Sequence, residues 1–256
     1  SDLLDAKSIP GPRLLVIHLT LNGMMLEQRA KTSPGEFQIA VKEYVRRIGA
    51  HVVAVSALKG RSWGFAQDIV PLSADPADYP PWQGDLAQGL RVSNFLLRRA
   101  RTLMWDFHQC AFAGLPVTLI GHNPELLGVR ASQNWRELRE ILRRHRFFIH
   151  TAQPDLEDGY NMATLEAMAA GLPILGNLNP SSPVEHGVSG FLSDDPAELR
   201  AHAQTLLGDR DLAASMGRAA QIGVATQFAP ATFRLAMLHA ISKAQLTWQQ
   251  RQQPAL

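Results

Sequence analysis

The chain contains a single cysteine, Cys110. One thiol excludes an internal disulfide framework and any cysteine cage for zinc. Its side chain is expected to pack as a small buried hydrophobe. Long apolar runs are also missing: no stretch of the sequence approaches the roughly 18 uninterrupted apolar residues of a membrane span. The first 20 residues lack a basic start, an apolar centre and a cleavage site, so no signal peptide is expected in them. Common catalytic signatures are absent as well. There is no Gly-x-Gly-x-x-Gly, no Walker loop and no His-Glu-x-x-His. Gly187-Val188-Ser189-Gly190 approaches Gly-x-Ser-x-Gly and breaks at Phe191. Nine histidines are present, but no pair has ligand spacing, so no metal site is expected.

What is present describes an ordinary globular chain. Its 256 residues are 46% hydrophobic and 19% charged, with a net charge of +2, which argues against disorder, collagen and coiled coil. The length allows one large domain or two modest ones. Charge is unevenly placed. Residues 91–146 carry ten arginines against four acids, and residues 151–200 carry eight acids against one arginine. A basic stretch followed by an acidic one suits a site for an anion that also bears hydroxyls, although arginines on solvated helix faces would give the same pattern. Few aromatics interleave the arginines and no nucleic-acid module is visible, so no nucleic-acid partner is expected.

Periodicity divides the chain into alternating strands and helices. Leu14–Leu19 reads as a strand, 33–48 as a helix opened by Ser33-Pro34 and closed by Gly49, His51–Ser56 and Asp68–Leu72 as strands. The proline-rich stretch 73–85 reads as a linker. Beyond it, Leu90–Ser93 is a weak strand, 98–113 a helix, Pro116–Gly121 a strand, and 134–145 a helix with Asn134 and Glu137 in capping-box positions. Phe147–His150 is a strand, 162–170 a helix, Leu172–Leu175 a strand and Phe191-Leu192 a short one. Helices follow at about 196–207, 210–224 and 230–248. Ala113–Gly121 and Ala170–Gly176 echo each other as helix stop, proline and buried strand. Strands alternating with helices predict an α/β fold with a parallel sheet covered on both faces, and ligands at the carboxyl ends of its strands. The arginine-rich helix 134–145 could touch a membrane surface or simply face solvent.

The informative stretch runs from Leu156 to Gly171. It follows a strand and opens a helix with Asn161 as its cap. The first helical amides then point at the mouth of the sheet with partial positive charge, an arrangement suited to phosphate. Gly159 permits close backbone approach. Glu166 lies about one turn into the helix and could accept bonds from ligand hydroxyls, as could Asp158 from the loop. The same residues would equally make a plain strand–loop–helix junction with solvent-facing acids.

This stretch resembles the Glu-x7-Glu region of retaining GT-B glycosyltransferases, family 4 in particular. Asp158 stands at the first acid and Glu166 at the second, with Tyr160, Asn161 and Met162 at the aromatic, second glycine and leucine positions. Pro183 to Phe191, Val117 to Glu125, Val92 to Ala100 and the tail from Phe228 are similar to further segments of that family. The resemblance implies a GT-B-like fold: a Rossmann-like parallel sheet with helices on both faces, preceded by a partial second Rossmann-like domain. It implies a partial acceptor-side domain over 1–85, a nucleotide-sugar domain over 86–229, and a helix over 230–256 that packs back toward the first domain.

For function, the resemblance implies a retaining, metal-independent hexosyltransferase. It would use a UDP-, GDP- or ADP-sugar as donor and need no other cofactor. The acceptor, a saccharide, lipid or small molecule, and the oligomeric state stay open, and the location would be cytoplasmic. Glu166 would bind the ribose hydroxyls and Asp158 those of the donor sugar. Arg99 would bind phosphate. Asn94, Gly121, His122, Gly159, Tyr160, Asn161, Met162 and Ala163 would line the nucleotide-sugar site, the amides at 160–163 holding the diphosphate. The chain departs from the family in five ways. Asn94 stands where an arginine is usual, Asp158 is one methylene shorter than the family's glutamate, Ser93 and Asn161 replace glycines, and residues 1–85 are expected to supply only the latter part of a first domain. A GT-B-fold binding module without turnover, or an epimerase or phosphorylase of the same fold, are the alternatives.

Overall fold

The computed structural model describes residues 8–252. The chain forms two compact units, one of Ser1–Leu72 with Ala231–Leu256 and one of Ser73–Pro230. In the first, three parallel strands lie in the order β1 (Arg13–Ile17), β2 (Ala50–Ala54), β3 (Asp68–Ile69). Helices α1 (Leu21–Gln28), α2 (Pro34–Ile48) and α3 (Ala57–Trp63) connect them, and α9 (Pro230–Gln252) completes the unit. Strand alternation splits the core. Val52 and Ala54 pack with Ile17, Val45 and Trp63, whereas Val53 packs with Val70, Ala240, Phe233 and Met237.

Ser33 and Glu36 form the expected capping box of α2, and Gly49 closes the helix in the left-handed region. The carbonyls at that end are taken by two arginines. Arg13 donates to Ile48 O, and Arg251 to Arg46 O and Arg47 O. Cations are favourable at a helix C-terminus, so the arginines gathered there are accounted for.

The second unit holds five parallel strands in the order β5 (Val117–Ile120), β4 (Leu86–Val92), β6 (His145–Ile149), β7 (Ile174–Gly176), β8 (Gly190–Leu192). Its helices are α4 (Trp105–Phe112), α5 (Trp135–Arg144), α6 (Met162–Ala169), α7 (Pro196–Gly208) and α8 (Arg210–Gln227). Phe147 and Ile149 of β6 face a core with Phe112, Leu199, Leu206 and Met216. Because β5 lies on one side of β4 and β6–β8 on the other, the strand order reverses between β4 and β6. In open parallel sheets ligands bind beside such a reversal, outside the carboxyl ends of the strands.

Several expectations are corrected. Leu90–Ser93 is no weak strand: β4 spans Leu86–Val92 and pairs on both sides. The helix expected over 98–113 is only α4, because residues 95–104 form turns and Met104 takes a φ of 47°. The carbonyls a longer helix would use are bonded elsewhere: Leu103 O by Arg91 and Thr151, and Thr102 O by the Gln153 amide. The strand expected over 68–72 stops at Ile69, short of Pro71, which has no amide hydrogen to donate. Helices α1 and α3 were not expected. Cys110 is exposed, contrary to the buried expectation, because it lies on the outer face of α4. Glu137 does not complete a capping box with Asn134, since its carboxylate bonds Arg130 and the Gln133 amide. The echoed Gly114 and Gly171 both take positive φ, 75° and 86°, as helix-ending glycines.

Candidate functional site

Four loops leave the carboxyl ends of β4, β5, β6 and β7, and side-chain amides stitch them together. The β4 and β5 loops form one platform. Asn94 Oδ1 accepts from the His122 amide at 2.8 Å, and Asn123 Oδ1 accepts from the Leu96 amide at 2.7 Å. Asn123 Nδ2 donates to Ser93 O at 2.8 Å. Gly121, with a φ of 138°, sits where a Cβ would come within 2.1 Å of Ser93 O, so only glycine allows this approach. Asn94, Gly121 and His122 are therefore brought together, with the Asn94 oxygen committed to the chain itself.

The β6 and β7 loops are joined in the same way. Asn177 exchanges two bonds with the Ala152 backbone, at 2.9 and 3.0 Å. Asn179 Nδ2 donates to Glu157 O, and its Oδ1 accepts from Ser181. Ser181 Oγ in turn accepts from the Gly159 amide at 2.8 Å. A Cβ at Gly159 would meet the Ser182 backbone at 2.8 Å. The close approach that Gly159 permits is thus made by the chain's own 179–182 loop. His150 Nε2 donates to Asp158 O at 3.2 Å, which places its proton on Nε2. None of Asn177, Asn179 or Ser181 was singled out in the sequence. Their signal was a polar run directly after a strand, at the carboxyl edge of a parallel sheet.

Two acids occupy the loop that enters α6. Asp158 is 1% exposed and Glu157 is buried beside it. Glu157 Oε1 accepts from the Asp158 amide at 3.0 Å, and its Oε2 lies 3.4 Å from Arg99 Nη2. Arg99 is therefore turned toward the acidic loop. Tyr160 packs its ring on Phe228 at 5.0 Å, and burial followed by the Asp158 charge pushes its hydroxyl up to about 12.

Helix α6 starts on Asn161, whose Oδ1 accepts from the Thr164 amide while Thr164 Oγ1 accepts from the Asn161 amide. Asn161 has a φ of −145°, so no left-handed backbone is required of it. With these two amides used, Met162 and Ala163 keep helix-start amides that no bond within the described residues occupies. Glu166 lies one turn in and is half-buried. Desolvation pushes its carboxyl up to about 7. A carboxyl poised there both accepts from and donates to hydroxyls near neutral pH. Tyr79 is close enough for the Glu166 charge, after burial, to raise its hydroxyl further. It packs edge-on to Trp135 at 5.7 Å, beside a cavity of about 750 Å³ lined by Tyr79, Pro80, Asn134, Arg136 and Arg139. None of the expected site residues lines that cavity.

In the other unit, His18 follows β1 directly, and burial with the Lys59 cation lowers its pKa. Among the described residues, no three His, Cys, Asp or Glu side chains gather as metal ligands. None of the helices searched is long and apolar enough to cross a membrane. The arginines of α5 are partly paired: Arg143 with Glu140, and Arg144 with Asp85.

Comparison with known proteins gives a consistent fold. Residues 114–209 match the family described as Glycosyl transferases group 1. No match was found among curated proteins. A variant of S. aureus TarM, solved with Fondaparinux, alpha-GlcNAc-glycerol and UDP, superposes with a TM-score of 0.66 at 14% identity, over 90% of this chain and 50% of that one. Sucrose-phosphate synthase from Thermosynechococcus elongatus gives 0.64 at 17% identity, over 90% and 67%. Anabaena HepE in complex with UDP-glucose gives 0.62 at 19%, over 90% and 72%. The chain thus spans about half the length of TarM. The fold is the parallel α/β architecture of GT-B glycosyltransferases.

Proposed function

We propose that the chain binds a nucleotide-diphospho-sugar and takes part in glycosyl transfer, with retention of anomeric configuration as in family 4. The observation that carries this reading is the start of α6, where two uncommitted amides and the half-buried Glu166 share one end of a short helix beside the strand-order reversal. The match over 114–209 and the UDP-bound neighbours support it.

In this reading the amides of Met162 and Ala163, with Arg99, take the diphosphate, while Glu166 takes the ribose hydroxyls. Asp158 serves the donor sugar, reached through the loop that buries it, and Tyr160 walls the sugar end. Asn94, Gly121 and His122 form the platform beneath the phosphates. As the glycosidic bond to the diphosphate breaks, negative charge gathers on the leaving oxygen. Fixed amides and a guanidinium stabilise that charge without reorganising. Donor hexose, acceptor and base are chosen by contacts beyond this machinery.

The test is equilibrium binding to UDP-, GDP- and ADP-glucose with the matching nucleosides as controls. One nucleotide class should bind, and a folded Glu166→Ala variant should lose at least tenfold in affinity. Unchanged affinity in that variant would remove Glu166 from the site. Incubation with an acceptor panel, followed by NMR of the product anomer, tests retention. A second reading, donor binding without turnover, is favoured by the commitment of Asn94 Oδ1 to His122 and by the burial of Asp158. Donor binding with no acceptor-dependent or hydrolytic release of UDP would select it.

A further inference from the structure

The largest fully buried side chain among the described residues is a cation. Arg91, on β4, is 2% exposed. Its Nη1 donates to Thr151 Oγ1 at 3.0 Å and its Nη2 to Leu103 O at 2.8 Å. Thr151 Oγ1 also donates to Leu103 O, at 2.7 Å. The guanidinium lies 5.9 Å from the Trp105 ring centre. No carboxylate of the described residues pairs with it. Burial pushes Arg91 down to about 9, so it stays charged at neutral pH. The titratable neighbour His108 adds no counter-charge. His108 is stacked on Trp105 at 4.9 Å, and burial followed by the Arg91 charge holds it neutral, down to about 2.

An uncompensated buried charge costs several kcal/mol, and an apolar side chain of similar volume is often no worse for stability. Packing alone therefore gives no reason for an arginine here. Its hydrogen bonds do. Leu103 lies near the end of segment 93–104, which carries Asn94 and Arg99. Thr151 begins the loop that carries Glu157 and Asp158. The Gln153 amide to Thr102 O bond, at 2.9 Å, lies beside the same junction. A guanidinium fork bonds both segments at once, which a lysine ammonium on a flexible stem does not reproduce. The fork also accounts for the break between the turns and α4, since it occupies the carbonyl just before Met104.

We propose that Arg91 is a positioning residue for diphosphate binding: it sets segment 93–104 against loop 150–160 so that Arg99 faces the Asp158 loop. The proposal rests on the nucleotide-diphosphate reading for its ligand, and its structural half stands apart from that reading. Arg91 touches no ligand and acts through Arg99.

The experiment compares the full chain with Arg91→Met, Arg91→Lys and Arg99→Ala by calorimetric titration of UDP and uridine, and by amide hydrogen exchange without ligand. Arg91→Met should melt within a few degrees of the parent, yet exchange faster in both 93–104 and 150–160 and in no other sheet segment. It should lose about tenfold in UDP affinity, with uridine unchanged. Combining it with Arg99→Ala should cost no more than Arg99→Ala alone. Arg91→Lys should behave like Arg91→Met. Unaltered exchange in the two segments overturns the proposal. So does an equal loss for UDP and uridine, or full recovery of UDP affinity by lysine, which would make the residue a simple charge. If Arg91→Met does not fold, Thr151→Val loosens the same junction and should give the same pattern at about threefold. If the parent chain binds none of UDP, GDP or ADP, the donor reading fails, and the exchange comparison alone decides whether Arg91 sets the two segments.

Discussion

Arg99 and Glu157 meet directly, Nη2 to Oε2, at 3.4 Å. Arg99 is about a quarter exposed and Glu157 almost fully buried. A phosphate arriving at Arg99 therefore meets a guanidinium already turned toward a carboxylate, and the two anions compete for it. Removing the charge of Glu157 while keeping its shape should relieve the competition. Glu157→Gln is expected to tighten UDP binding by about three- to tenfold, measured by titration, with uridine unaffected. Arg99→Ala is expected to act in the opposite sense on UDP and leave uridine alone. Equal effects on both ligands would move Arg99 away from the phosphates.

Glu166 links the site to pH. Its folded pKa, near 7, stands above the ordinary glutamate value of 4.5 because burial disfavours the charged form. The folded state therefore binds more protons than the unfolded state between those values, and stability falls as pH rises through that window. Glu166→Gln removes the penalty. Since part of the group meets solvent, the expected gain is about 1 kcal/mol at pH 8 and none at pH 4. Chemical denaturation at the two pH values measures it, and a gain independent of pH would contradict the assignment.

Gly121 is the tightest point of the platform. An alanine there would face Ser93 O at 2.1 Å with a φ of 138°. The strain and the forced separation of the β4 and β5 loops should cost about 3 kcal/mol or more. Thermal melting of Gly121→Ala is expected to fall by several degrees. UDP binding should weaken beyond what the melting shift implies, because Asn94 and His122 lose their mutual placement.

The cap of α6 separates helix stability from anion binding. Asn161→Ala removes the acceptor for the Thr164 amide and should cost about 1 kcal/mol. The freed amide joins those of Met162 and Ala163, so UDP affinity should hold or rise slightly, by titration, even as the melting temperature drops. A loss of affinity in proportion to stability would mean that the cap itself touches the ligand.

The alternation of strand and helix was legible because buried strands and amphipathic helices leave local periodicities, as at Phe147–His150 and 33–48. The α6 start was legible for the same reason: a capping residue and a run of helix formers are adjacent in sequence. The failures share one cause. Residues 98–104 have helical character but bond to β4 and to loop 150–160, so distant partners outweighed local preference. Cys110 was placed inside by its residue type and lies outside by the rotation of α4, which only packing sets.

From composition, spacing and resemblance came the parallel α/β class and the strand–loop–helix junction that carries Asp158 and Glu166, since these depend on neighbours in the chain. Tertiary structure alone decided that Gly159 is filled by the chain's own backbone, that Arg99 turns to Glu157 and that Asp158 lies buried. It alone brought Arg91 next to Leu103 and Thr151, 12 and 60 residues away. Those outcomes depend on which loops the strand order brings to one edge of the sheet, and on the free energy of burying charge there, neither of which is encoded within a window of adjacent residues.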